Sequence, residues 1–138
     1  MIKNNEHFNE LSFYTLPHPD SVYFIHQLVV DAFTAQTANE NTKRISLVFS
    51  LVGLYLLIEK NYTGREIQRA HTLLSNHKDF LPEIKLPSER GNITIIDVLN
   101  NKSNRDKLIK EWCFSVWEQY KTNNMKKIKE YCENYLSK

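Results

Sequence analysis

At 138 residues the chain is long enough to bury one core without disulfide or metal staples. Hydrophobic residues make up 41% and charged residues 25%, a globular rather than a disordered balance. A formal net charge of +2 implies neither nucleic acid nor an anionic membrane as partner, and three glycines with four prolines suit long helices better than an all-β chain.

Residues 1–19 begin polar, turn locally apolar at Leu11, Phe13, Tyr14 and Leu16, and end at Pro17-His18-Pro19. The prolines disfavour helix around His18, which predicts an extended N-terminal arm lying on a single helical domain over 20–138. The opening MIKNNEHFNE lacks an apolar stretch, so no signal peptide is expected there. A first helix is expected over about 21–37, with Asp20 as N-cap. Val22, Ile25, Val29, Ala32 and Phe33 form its apolar stripe, and Tyr23, Gln27, Asp31 and Thr34 a polar one.

A second helix, about 43–60, is apolar on nearly every face, which predicts a central and most buried element. Its apolar run, Ile45–Ile58, falls short of the roughly 20 residues a membrane span requires. Ser46, Ser50 and Gly53 recur at i, i+4 and i+7, a small face that admits close approach by a neighbour carrying Ala32, Ala35 and Ala38. Thr63-Gly-Arg-Glu66 is a capping box, with Tyr62 and Ile67 placed as a hydrophobic staple, opening a helix that ends near His77. Two prolines and Gly91 mark 79–92 as a long connection. Thr94-Ile-Ile-Asp97 starts a short helix over about 95–100. Two more are expected, about 106–121 after Ser103 and about 124–136. The first buries Ile109, Trp112, Cys113, Val116 and Tyr120. The fold class is therefore all-α: a compact bundle of five to six helices with an extended N-terminal arm.

No phosphate-cradling glycine loop, nucleophile elbow or zinc-binding spacing is present, which argues against nucleotide-dependent catalysis and leaves any cofactor unknown. Cys113 and Cys132 lack CxxC spacing and are expected as reduced thiols in the core of a cytoplasmic protein. His18, His26 and His71 are the metal candidates, with Asp31 and Glu66 able to complete a set, although their spacing carries no ligand signature. His26, Asp31 and Gln36 are five apart, about 140° and 7.5 Å per step, so one helix cannot converge them on one ion. Gln36 lies near the apolar stripe, as a structural tie to a turn carbonyl or as a pocket amide. Asp31 is either solvated beside Gln27 or a buried carboxylate needing Arg65, Arg90 or Lys43. Arg90 could meet an anion or cap a helix end. Trp112 and Trp117 suit packing or a ligand platform. The lysines at 121, 126, 127 and 129 alternate with Glu130 and Glu133 as a solvated face.

The stretch from His26 to Gln36, HQLVVDAFTAQ, resembles the signature of the bacterial domain-of-unknown-function family 5946. Leu54 to Glu59, Tyr62-Thr63-Gly64, Leu86-Pro87, Arg90 to Thr94 with Asp97-Val98, and Trp112 with Val116-Trp117-Glu118 are similar too, so the resemblance spans roughly 17–120. It brings no known activity. An N-terminal cysteine pair of some members has no counterpart before Cys113, and Thr37 stands where many carry His. The resemblance implies that His26, Asp31, Gln36, Arg90 and Trp117 form one constellation. The expected function is small-molecule or metal binding, possibly enzymatic, in a polar pocket centred on the 21–37 helix under the 79–93 loop. The alternative is a non-catalytic protein-interaction module or a homodimer.

Overall fold

The computed structural model describes residues 2–15 and 25–136. Among the described residues there are six α-helices, α1 Ile2–Thr15, α2 Ile25–Thr37, α3 Arg44–Lys60, α4 Gly64–Leu74, α5 Ile95–Asn100 and α6 Arg105–Leu136, and two short 3-10 turns, Lys78–Phe80 and Lys102–Asn104. No strand occurs among the described residues, and the protein is all-α.

The expected extended arm is α1 instead. Phe8, Leu11 and Thr15 fall at i, i+3 and i+7, with Leu11 and Thr15 buried, so the segment has a helical face to hide. A proline disfavours helix only in the residue before it and does not forbid a helix upstream. The Tyr14 hydroxyl donates to Asp106 Oδ1 at 2.7 Å, tying α1 to the start of α6. The proposed N-cap at Asp20 and the candidate ligand His18 lie outside the described residues.

The core is built where α2, α3 and α6 pack together, with α4 against all three and α1 and α5 at one end. Helix α3 is buried from Leu47 through Leu56 apart from Phe49, as its all-round apolarity predicts. It ends where Asn61 takes the left-handed conformation and Tyr62 N–H bonds back to Leu56 O. The Thr63 capping box is formed in both directions: Glu66 N–H to Thr63 Oγ1, and Thr63 N–H to Glu66 Oε1. Asp97 likewise accepts from Thr94 N–H at 2.9 Å.

A second departure concerns the last two expected helices, which are one 32-residue helix. Asparagine favours turns because its side chain competes for backbone partners. At Asn124 a tertiary contact takes that capacity: its amide accepts from Lys85 N–H at 2.8 Å and donates to Lys85 O at 2.9 Å and Tyr120 O at 3.0 Å. The asparagine thus fastens the 81–94 segment to α6 without breaking the helix.

Candidate binding site

A helix leaves its last carbonyls without intrahelical donors. At the end of α2 the donor is Arg90, from the long connection. Its Nη1 lies 2.7 Å from Ala38 O and 3.3 Å from both Ala35 O and Gln36 O. A cation there also meets the negative end of the helix dipole. Arg90 Nε donates to Pro87 O at 2.9 Å, which folds the loop around its own side chain. Its guanidinium also lies 5.7 Å from the ring centroid of Tyr120.

Gln36 answers from the helix side. Its Nε2 donates to Ile93 O at 2.7 Å and Arg90 O at 3.2 Å, while its Oε1 accepts from Trp112 Nε1 at 2.9 Å. The helix end grips the loop and the loop grips the helix end. Tyr120 closes the circuit by donating to Ala35 O at 2.7 Å, and burial pushes its phenol up to about 12. Gln36 and Arg90 are thus brought together, as a clasp of two groups already occupied with backbone.

The other three candidates lie elsewhere. Asp31 is buried between α2 and α3, where its Oδ1 accepts from Gln27 Nε2 at 3.1 Å. Its Oδ2 meets no hydrogen-bond partner among the described residues, and no ion pair to Arg90, Arg65 or Lys43 is formed there. Burial holds its carboxyl well above the usual range, against the opposing bond from Gln27, which favours the uncharged acid relative to an exposed aspartate. The Cys113 thiol is also raised, by its own burial and then by the proximity of Asp31. His26 faces α1: its Nδ1 shares a 2.9 Å hydrogen bond with Thr15 Oγ1, and burial lowers its pKa. Trp117 donates to Glu59 Oε2 at 2.8 Å, and Glu59 also pairs with Lys121 at 3.1 Å. These contacts, Trp117 first, hold the Glu59 carboxyl below its ordinary value.

Among the metal candidates, His71 donates from Nε2 to Phe49 O at 2.7 Å and stacks on that ring. No group of three or more His, Cys, Asp and Glu side chains is placed to hold a metal ion among the described residues.

A groove lies on the other side of the clasped loop. It measures about 830 Å³ and lies between Glu89–Ile93 and the outer face of α6. Gly91 packs directly on α6 with φ 97°, and a Cβ there would come within 2.4 Å of Ser115 Oγ and 2.9 Å of Ser115 O. Only glycine fits both the conformation and the space. Phe114, 50% exposed, forms part of the wall beside Lys110, Glu111 and Glu118. Of the groove residues, Glu111, Phe114 and Ser115 escaped the sequence reading. The available signal was phase: Phe114 sits about 155° from the centre of the stripe of Ile109, Trp112, Val116 and Tyr120, where a solvated helix would carry a polar residue.

A family profile described as "Family of unknown function (DUF5946)" matches residues 5–121. The chain belongs to this family. No curated protein and no solved structure matches it. The matched span takes in the clasp, Asp31 and every residue lining the groove against α6. No helix among the described residues of this family member is long and apolar enough to cross a membrane.

Proposed function

We propose that the chain is a small-molecule-binding domain, and that its ligand sits in the groove between 89–93 and the outer face of α6 rather than in a polar pocket centred on α2. The carrying observation is the pairing of a half-exposed Phe114 with a wall held rigid by the Arg90–Gln36–Trp112 clasp. A preorganised wall spares a ligand the cost of ordering a loop. The volume, about 830 Å³, falls in the usual range for small-ligand sites. A binding role is favoured over a catalytic one because His26, Asp31 and Trp117 each serve a separate packing contact, away from this groove.

The test is a ¹H–¹⁵N correlation experiment with indole, phenol and benzyl alcohol as millimolar probes. Saturable shifts centred on the Gly91, Ile93 and Phe114 amides are expected. Shifts that are absent, or that cluster elsewhere, would overturn the reading. An adjoining groove of about 510 Å³ along Leu57, Ile58 and Tyr62 shares Lys110 and Phe114, and it favours an extended peptide crossing both as the second reading. The two cysteines are unpaired and buried, which suits a reducing bacterial cytoplasm.

A further inference from the structure

We infer that the chain pairs with a second copy of itself through the outer face of α6, the two helices running antiparallel about a two-fold axis between residues 119 and 120. The inference does not rest on the groove taking a small ligand. Along α6, Glu111, Phe114, Glu118, Lys121 and Met125 recur at alternating spacings of three and four, which keeps them on one stripe. That stripe lies opposite the buried one of Ile109, Trp112, Val116 and Tyr120. Phe114 is half-exposed on it. Met125, only partly buried, stands about three turns further on, roughly 16 Å along the axis.

The stripe changes charge at its middle. Around Phe114 it lines a groove with Glu111 and Glu118, and Glu89 faces them from the loop. Around Met125 it lines another groove, of about 570 Å³, with Lys121, Lys126 and Lys129. An acidic half followed by a basic half on one helix face is complementary to its own reverse. With the axis between 119 and 120, Phe114 meets Met125 of the partner subunit and Glu118 meets Lys121 of the partner subunit. Glu111 comes within one residue of register with Lys129 of the partner subunit. The two-fold makes each contact twice and closes the assembly as a dimer. A parallel pair would set Glu118 against Glu118 and Lys121 against Lys121, so the order of charges selects the antiparallel one.

Within one chain these charges are loosely held. Glu118 lies 3.8 Å from Lys121, a long contact between exposed groups. Lys121 bonds Glu59 at 3.1 Å and has ammonium donors left for a carboxylate of the partner. Pairing takes the Phe114 ring and Met125 out of water, which supplies the apolar part of the affinity. One helix face buries less than an obligate dimer does, so the expected dissociation constant is on the order of 10 µM.

Sedimentation velocity of the full chain over about 1–300 µM tests this. A monomer–dimer equilibrium is expected, weaker at about 500 mM salt than at about 50 mM because the charge pairs are screened. Glu118→Lys and Lys121→Glu each set like charges against one another at both contacts across the axis, and each alone should weaken the dimer by about tenfold or more. An equimolar mixture of the two variants should regain wild-type association, because in the mixed dimer both contacts again join opposite charges. Melting temperatures close to wild type show the fold intact. Phe114→Gln, which leaves every ion pair in place, reads the same face and should also weaken the dimer. A monomer throughout the range, or a dimer indifferent to all three variants, would overturn the assignment. A dimer weakened by each variant and not restored in the mixture would overturn the antiparallel register.

Discussion

The carboxylate of Asp31 on α2 rests against the bare Cα of Gly53 on α3: a Cβ at residue 53 would come within 1.8 Å of Asp31 Oδ2. The small face of α3 is therefore fitted to one buried acid. Gly53→Ala is expected to destabilise the protein by about 1–3 kcal/mol through overpacking, outweighing a helix-propensity gain of roughly 1 kcal/mol. Asp31→Ala in the same chain should recover much of that loss. Urea denaturation of the two single variants and the double variant measures the coupling, and strict additivity would show that the residues do not touch.

Asp31 also gives stability a pH dependence of definite sign. Below its ordinary value of 3.8 the carboxyl is protonated in both the folded and the unfolded chain, and the shift costs nothing. As pH rises past 3.8 the unfolded chain releases this proton while the folded chain keeps it, because burial holds the folded value well above that. Stability contributed by this group is lost until pH passes the raised folded value, and the loss is constant beyond it. Asp31→Asn cannot titrate. Its stability relative to wild type should climb from about pH 4 upward, which urea midpoints measured from pH 3 to 8 will show. A difference that stays flat across that range would contradict a buried, protonated acid at this position.

Arg90 is expected to tolerate lysine poorly. Its Nη1 serves the carbonyls at the end of α2 while Nε holds Pro87 O, a planar fork that an ammonium cannot reproduce. Arg90→Lys should cost about 1–2 kcal/mol, and Arg90→Ala about 2–4 kcal/mol, by leaving half-buried carbonyls unpaired. Amide hydrogen exchange over 89–94 should accelerate in both variants. Unchanged protection there would mean that Gln36 and Trp112 hold the loop unaided.

The helices with caps or strong periodicity were legible from sequence: α3, the capping box at Thr63, and the short α5 behind Thr94. Long-range partners were not. Asn124 carries turn chemistry in isolation, and only the Lys85 backbone, 39 residues away, converts it into a helical residue. The α1 segment looked like an arm because its burying face is short and its prolines stand close behind. At the site, the residues were legible and their pairings were not. Gln36 is open between a tie and a pocket amide on sequence alone, and in the structure it bonds to Arg90 O and Ile93 O. Asp31 and Arg90, one of the ion pairs the sequence leaves open, go to different neighbours, because the carbonyls ending α2 offer the guanidinium several acceptors at once. Sequence spacing cannot rank such competitors, since it carries no information about which carbonyls a distant loop will reach.

The Asn124 amide meets both the N–H and the C=O of Lys85, as a neighbouring strand would in one rung of a ladder. Five residues later the chain is fixed again, by Arg90 to α2. Residues 86–89 are therefore a spacer of set length between two anchors on different helices. Adding or deleting one residue within it would have to tear out one anchor, whereas the exposed corner at 75–76, before the chain reaches either, can lengthen at little cost. Over evolution, length variation among relatives should collect at that corner and avoid the spacer.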